Sequence, residues 1–138
     1  MSKLVRFGVS IEESLLRHFD SLIAKRKYTN RSEAIRDLIR NQLVDLDWKD
    51  DSAIVVGAVT IVYDHHVREL VNRLTDIQHE YAESIISSLH VHLDEHNCLE
   101  VIVLKGRAGR VREVADALIG LKGVKHGRLI STTTGSRI

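Results

Sequence analysis

Two histidines and the single cysteine of the chain, His90, His92 and Cys98, have a spacing that suits metal binding. Residues two apart on a β-strand project from the same face, so a strand through His90 and His92 would present both imidazoles on one side. Cys98 follows a short polar turn and opens the next apolar run, which brings its thiol to the same place. Imidazole and thiolate groups are ligands for borderline divalent cations. The pattern predicts a metal site, and zinc, nickel(II) and copper(II) all fit it.

A fourth donor, His79, lies on a helix predicted over residues 64–81, which carries one apolar stripe. At about 100° per residue, His79 points away from that stripe and therefore away from its own sheet. We expect His79 to complete the site of another subunit. Two polar residues, Gln78 and Glu100, are placed to hydrogen-bond the ligands. The remaining histidines are assigned ordinary surface or structural roles: His18, His65, His66, His96 and His126.

The elements that position these residues form a predicted α+β domain over 53–138, with the order βαββαβ. Apolar and β-branched runs predict the strands, and helical periodicity predicts the helices, over 53–63, 64–81, 85–93, 98–105, 109–122 and 125–133. This order matches the ferredoxin-like plan, which ACT small-molecule regulatory domains share, with both helices on one face of a four-stranded sheet. The other face is left open, and its apolar content predicts burial in an oligomer.

The strand over 85–93 determines the face on which the predicted metal site lies. Its odd-numbered residues are mostly apolar, whereas His90 and His92 occupy even-numbered positions. We expect the apolar, odd-numbered side chains to contact the helices, because successive residues of a strand point to opposite faces. His90 and His92 are then expected on the sheet face that the helices leave uncovered.

Residues 1–48 predict a smaller, separate domain. An alternating strand over 4–11 is followed by helices over 12–26 and 30–44, and the second helix opens with a capping-box sequence. One strand and two short helices cannot bury their apolar surface alone. We therefore expect this segment to dimerise, with the strands of two copies paired as a ribbon.

Charge separates the two segments. Residues 1–44 carry nine basic and five acidic groups, whereas residues 45–95 carry three basic and eleven acidic groups. A basic head suggests a polyanionic partner such as nucleic acid. The acidic stretch 43–52 ends in turn-forming residues and predicts a linker, which gives domain boundaries of 1–48 and 53–138.

The composition favours a protein of the cytoplasm. The longest apolar run, 53–63, is too short to cross a bilayer, and no charged segment followed by an apolar one opens the chain. A single cysteine cannot form an internal disulfide, which fits a reducing compartment. We therefore expect no membrane association.

The head resembles the ribbon-helix-helix family of DNA-binding repressors, in the strand 6–11 and in the run 30–36. A two-stranded ribbon fits the major groove, where its outward side chains reach base edges, and the N-terminal amides of the second helix point at a phosphate. Glycine at position 8 departs from the hydrogen-bonding residue more usual there. The resemblance implies DNA contacts for Arg6, Gly8, Ser10, Arg31 and Ser32.

Several further runs resemble the nickel-responsive ribbon-helix-helix repressors: 30–37, 78–80, 89–92, 98–100, 103–106 and 123–127. The resemblance implies a homotetramer in which two DNA-binding dimers flank a metal-binding core. It also implies one square-planar nickel per chain, bound by His90, His92 and Cys98 of one subunit and by His79 of the partner subunit. In such a repressor, the nickel-loaded form binds a palindromic operator and represses nickel-uptake or related metal genes.

The same resemblance implies a second cation site, which potassium occupies in DNA complexes of the family. Glu33 and Asp37 match the carboxylates of that site. Its backbone carbonyls are matched by Ile119, Leu121 and Val124. A loop after the first core strand contacts DNA in the family, and Arg68 matches one of its basic positions, whereas Val67 stands where a lysine can occur.

Two other functions compete with that of a nickel-responsive regulator. A zinc or nickel hydrolase needs an open coordination position and a general base. Four donors fill the predicted site, and Glu100 is better explained as a hydrogen-bond partner of the ligands, so we expect no enzyme. A metal-independent ribbon-helix-helix repressor is the other alternative, and its operator binding would be unaffected by a chelator.

Overall fold

The computed structural model describes residues 2–138, which divide into two compact units, 2–41 and 42–138. Among the described residues, every helix is too short or too polar to cross a bilayer.

The first unit is built on two helices, α1 (Glu13–Lys25) and the first part of α2 (Arg31–Lys49). Lys27 follows α1 with a φ of 61°, the left-handed conformation that commonly terminates a helix. The backbone N–H of Glu33 donates to Oδ1 of Asn30 at 2.9 Å, which caps the start of α2. Both predicted helices of the head are therefore formed, and α2 begins at the cap that the sequence indicates.

Residues 2–12 form no regular secondary structure, so the strand predicted over 4–11 is not formed within the single chain. A strand needs a neighbour to pair its backbone N–H and C=O groups, and no described segment of this chain pairs with residues 2–12. The apolar side chains of Leu4, Phe7 and Val9 are 85, 71 and 66% exposed. Exposed apolar surface of this kind is typical of an interface.

The second unit has the predicted βαββαβ order. Its elements are β1 (Ile54–Asp64), α3 (Arg68–Glu80), a 3-10 turn (Ala82–Ser84), β2 (Ile85–His92), β3 (Asn97–Arg107), α4 (Ala108–Ile119) and β4 (Val124–Thr132). The four antiparallel strands have the order β2-β3-β1-β4. The predicted α+β class and ferredoxin-like plan are confirmed.

The core lies between the helices and one face of the sheet. In β1 and β3 buried residues alternate with half-buried ones, as expected for strands with one covered face. Val59 and Ile102 are paired across β1 and β3, and both are fully buried. Leu74 of α3 and Leu118 of α4 belong to the same buried cluster, so both helices cover this face.

Helix α2 extends further than the sequence indicates, because the predicted linker 43–52 is helical as far as Lys49. Trp48 is 8% exposed and joins the core of the second unit, with Val44 packed beside it. The indole Nε1–H of Trp48 donates to the carbonyl of Thr132 at 2.9 Å. The acidic composition of this stretch predicts a linker, whereas the packing of Val44 and Trp48, four residues apart, favours a helix.

The register of β2 corrects the predicted position of the histidines. His90 pairs with Glu100 and His92 pairs with Cys98, and residues directly opposite in a sheet share a face. Glu100 and Cys98 are each 1% exposed, on the helix-covered face. His90 and His92 therefore lie on the covered side of the sheet, and the expectation that they lie on its open side is wrong.

The apolar, odd-numbered residues of β2 lie on the open face instead. Leu89 pairs with Val101 and is 60% exposed. β2 is the edge strand, so its side chains on the covered side extend past the main core and need not be apolar. His90 remains 53% exposed there.

Replacing Trp48 with alanine tests whether the end of α2 is part of the core. We expect the free energy of unfolding to fall by about 3–5 kcal/mol, because a large buried aromatic is removed. Trp48→Phe keeps most of the packing and loses one hydrogen bond, so its cost is about 1 kcal/mol. The measurement is urea denaturation at a fixed protein concentration.

Leu46→Ala is the matched control, because Leu46 lies on the same helix and is 52% exposed. Equal destabilisation by Trp48→Ala and Leu46→Ala would show that the helix end is not held by the core.

Candidate metal centre

The hairpin of β2 and β3 places the three predicted ligands on one rigid frame. Its turn is held by Asp94, whose Oδ1 accepts the backbone N–H groups of His96 at 2.8 Å and Asn97 at 2.7 Å. The side-chain amide of Asn97 also donates to Asp94. Hydrogen bonds from the Asn97 side chain, then from the two backbone groups, lower the pKa of Asp94 to about 2.

Within this hairpin the imidazole of His90 faces the thiol of Cys98. The distance from His90 Nδ1 to Cys98 Sγ is 3.9 Å. His92 lies directly opposite Cys98 in the strand register. The structure thus brings His90, His92 and Cys98 to one end of one face, as their spacing predicts. Their role as metal ligands stays a prediction.

A buried carboxylate, Glu100, lies beneath His90. Its Oε1 is 2.9 Å from His90 Nε2 and accepts the side-chain N–H of Gln78 at 3.1 Å. Its Oε2 accepts the hydroxyl of Tyr63 at 3.2 Å. A carboxylate with 1% exposure needs such partners, because an unpaired buried charge is costly. Gln78 and Glu100 therefore lie where the sequence predicts supporting residues.

Tyr63 is a member of this network that the sequence analysis missed. Its hydroxyl lies 3.4 Å from His90 Nδ1 as well as donating to Glu100. Burial raises the pKa of Tyr63 well above its usual value, and the negative charge of Glu100 adds to the effect. The hydroxyl stays protonated. Tyr63 pairs with Cys98 in the register of β1 and β3, so strand pairing would have been the signal.

His79 is exposed near the end of α3. It borders a small cavity between α3 and the sheet, together with Thr75, Gln78, His90 and Glu100. That His79 completes the site of another subunit stays a prediction. Among residues 2–138, however, no three of the four predicted donors bring their ligand atoms within 4.8 Å of one another.

The predicted DNA-contacting residues of the head are accessible. Positions 6, 8 and 10 lie in the exposed segment 2–12. The guanidinium of Arg31 donates from Nε and Nη2 to the two carboxylate oxygens of Asp20, each at 2.9 Å. This pairing lowers the pKa of Asp20 and raises that of Arg31. Ser32 lies in the first turn of α2.

The residues matched to a second cation site make local contacts in each unit. Glu33 is paired with Arg36, and Asp37 accepts the hydroxyl of Tyr28 at 2.7 Å. That hydrogen bond is the main reason that the pKa of Asp37 is lowered. In the second unit, the carbonyl of Leu121 accepts the N–H of Val124 at 3.1 Å, just after Ile119 ends α4. Arg68, the matched DNA contact of that unit, is the first residue of α3.

Comparison with known proteins identifies both halves of the chain. Residues 56–132 match the family described as the NikR C terminal nickel binding domain, and residues 5–46 match the ribbon-helix-helix protein, copG family. The chain belongs to the nickel-responsive regulator family. Curated relatives provisionally named nickel-responsive regulators are 58% identical in Geobacter sulfurreducens and 61% identical in Solibacter usitatus, each over 100% of this chain and 99% of the relative.

Another relative with that name, from Pyrococcus furiosus, is 58% identical over 98% of both chains. An uncharacterized protein from Thermotoga maritima shares the fold of part of the chain, with a TM-score of 0.51 over 56% of this chain and 96% of that one, at 16% identity. Membership of the regulator family establishes a DNA-binding head of the ribbon-helix-helix type and a nickel-binding type of second domain. It makes the chain a regulator rather than an enzyme, which excludes the hydrolase alternative.

Changing Asp94 to alanine tests whether its carboxylate holds the turn before Cys98. The pKa of Asp94 is about 2 in the folded chain, below the value of about 3.9 for an unfolded aspartate. Its contribution to stability is therefore present above about pH 4 and is lost as the pH falls towards 2. We expect the difference in Tm between wild type and Asp94→Ala to be full at pH 6 and to shrink below pH 4.

The measurement is thermal unfolding followed by circular dichroism between pH 2 and pH 6. Glu95→Ala is the control, because Glu95 is an exposed acidic residue of the same turn. A Tm difference for Asp94→Ala that does not change with pH would contradict the assignment.

Proposed function

We propose that this chain is a nickel-sensing repressor of the cytoplasm, which binds one nickel ion per chain and then binds a palindromic operator of nickel-uptake or related metal genes. The observation that carries the proposal is the arrangement of His90 between the thiol of Cys98 and the buried carboxylate of Glu100. The proposed ligands are His90, His92 and Cys98 of one subunit and His79 of the partner subunit.

The surroundings of His90 support a role as a ligand. Its Nε2 is 2.9 Å from Oε1 of the Glu100 carboxylate. With the proton of His90 on Nε2, beside this carboxylate, the lone pair of Nδ1 would be free for a metal ion, and Nδ1 lies 3.9 Å from Cys98 Sγ. Histidines that bind metals commonly donate their other N–H to a carboxylate in this way. Gln78 and Tyr63 hold that carboxylate in place.

Nitrogen and sulfur donors of this kind suit nickel(II), which accepts a planar arrangement. Both the thiol and the imidazoles must be deprotonated to bind it, so binding weakens as the pH falls. Bound nickel would neutralise negative charge at the thiolate above Glu100 and would order the ends of β2 and β3.

The open face of the sheet supports assembly into a tetramer. It carries exposed apolar side chains, among them Leu89 at 60% and Ile130 at 58%. Covering this face with the second domain of another subunit removes apolar area from water, which favours association. The proposed ligands lie on the covered side of the sheet, so His79 of the partner subunit would reach them across a second contact, separate from this face.

The exposed segment 2–12 supports DNA binding by a dimer of heads. Pairing two copies as an antiparallel ribbon would bury one row of side chains, including Phe7 and Val9, and direct Arg6 and Ser10 outwards. Arg31 and Ser32 would contact a phosphate at the start of α2, and Arg31 would then exchange Asp20 for that phosphate. Gly8 and Arg68 complete the proposed DNA-contacting set.

A second cation, of the potassium type, is proposed at the carboxylates of Glu33 and Asp37 with backbone carbonyls of the second domain. The carbonyls are those of Ile119, Leu121 and Val124. A cation would compensate the two carboxylates when the head approaches DNA phosphates.

We propose that nickel regulates DNA binding by shifting the population of tetramers between different arrangements of their DNA-binding heads. Without nickel, tetramers sample many arrangements. Nickel favours those that place both ribbons on two half-sites, and it can do so only to the extent that it binds them more tightly than the others. The coupling free energy for such systems is about 1–3 kcal/mol, which corresponds to about 5- to 150-fold in affinity.

A DNA-binding titration with and without one nickel per chain tests this function. The operator is first selected from random duplexes with nickel-loaded protein, and its Kd is then measured by fluorescence anisotropy at fixed salt. We expect nickel to strengthen binding by at least about fivefold in the wild type and to have no effect on Cys98→Ala. His126→Ala, a change on the exposed part of β4, is the matched control and should respond like the wild type.

Equal affinity with and without nickel, or in the presence of a chelator, would instead establish a metal-independent repressor.

Mixing two inactive variants tests whether the site is shared between subunits. His79→Ala and Cys98→Ala should each lose tight nickel binding alone. In mixed tetramers, a His79→Ala chain supplies His90, His92 and Cys98 while a Cys98→Ala chain supplies His79, so complete sites form again. Equilibrium dialysis should therefore show restored nickel binding after unfolding and refolding the two variants together. No restoration would place all four ligands in one chain.

A further inference from the structure

A second cluster of potential metal ligands lies outside the proposed nickel centre. The side chains of Asp64, His66 and His96 each bring a ligand atom within 4.8 Å of the other two. His66 Nδ1 is 3.3 Å from Asp64 Oδ1 and 3.4 Å from His96 Nδ1. The sequence alone predicts ordinary surface or structural roles for both histidines, and the fold brings them together from segments thirty residues apart.

Backbone hydrogen bonds hold the two loops of this cluster together. Asp64 ends β1, and its Oδ1 accepts the backbone N–H of His66 at 2.9 Å. The backbone N–H of His65 donates to the carbonyl of His96 at 3.1 Å. His96 is in turn fixed by Asp94, which accepts its N–H. The three side chains are therefore presented by loops that are already ordered, so binding an ion costs little conformational entropy.

The chemistry of the three side chains is that of a transition-metal site. The hydrogen bond from the backbone N–H of His66 lowers the pKa of Asp64, with further lowering from the nearby histidines, so Asp64 is an anionic ligand. Two imidazoles with one carboxylate form a common site for borderline first-row ions, with the remaining positions open to water. The Nδ1 atoms of His66 and His96 form a hydrogen bond at 3.4 Å, so one of them carries a proton that an ion bound between them would displace.

We propose that Asp64, His66 and His96 form a second binding site for a divalent transition-metal ion, of the class that includes nickel(II), cobalt(II) and zinc(II). The site shares no ligand with the proposed nickel centre. It is the weaker of the two, because it has three protein ligands, no thiolate, and side chains of Asp64 and His66 that are 31 and 57% exposed.

The position of the cluster connects it to the proposed nickel centre. His65 packs against His66 at 4.3 Å and against His92 at 5.0 Å between ring centroids. Its Nδ1 is buried and lacks a hydrogen-bond partner among residues 2–138. His96 lies in the turn two residues before Cys98. An ion at Asp64, His66 and His96 would tie the end of β1 to that turn and so stiffen the segment that carries Cys98.

Calorimetric titration of the full chain with nickel(II) alone tests the proposal. The wild type should show a tight event and a weaker second event. His66→Ala should abolish the second event, and Asp64→Asn, whose side chain can still accept the backbone N–H of His66, should weaken it by about tenfold or more. Both variants should keep the tight event. His126→Ala, a histidine outside the cluster, is the control and should keep both.

Cys98→Ala separates this proposal from the proposed function, because it should remove the tight event and leave the weaker one. Circular dichroism of each variant verifies the fold before titration. The proposal is overturned if the wild type shows no second event, if His66→Ala retains it, or if His126→Ala removes it as well.

Discussion

The charge of Glu100 is the constraint on which the metal centre depends. A carboxylate at 1% exposure is retained only when its oxygens are hydrogen-bonded. Its hydrogen-bond partners are Gln78 from α3 and Tyr63 from β1, and the imidazole of His90 from β2 lies 2.9 Å from it. This one buried carboxylate is therefore the point on β3 where side chains from the end of α3 and from the edge strand β2 meet. Nε2 of His90 lies next to this carboxylate, and Nδ1 is turned towards Cys98.

The parts of the fold that depend on local sequence could be predicted. Periodicity was sufficient for the βαββαβ order, and residue spacing was sufficient to bring His90, His92 and Cys98 together. The face on which they lie could not be read from alternation. An edge strand such as β2 has apolar residues on its open side and polar residues where it extends beyond the helices, so only its pairing with β3 decides the face.

The remaining differences also come from contacts distant in sequence. The acidic residues around Trp48 predict a linker, but its packing and its hydrogen bond to Thr132 make that segment helical. The strand predicted over 4–11 requires backbone partners that residues 2–138 of one chain do not provide. In each case the sequence carried the right residue types, and the missing information was the identity of the neighbour.

Strand β3 contributes residues both to the core and to the metal centre, and this restricts where residues can be inserted into the chain. Cys98 and Glu100 lie on the same face as Ile102 and Leu104, which are fully buried. One residue inserted between Glu100 and Ile102 would turn either the thiol and carboxylate or the core side chains to the opposite face, because side chains alternate along a strand. Natural variation in length is therefore excluded from this part of the strand, and the centre is inherited together with the core.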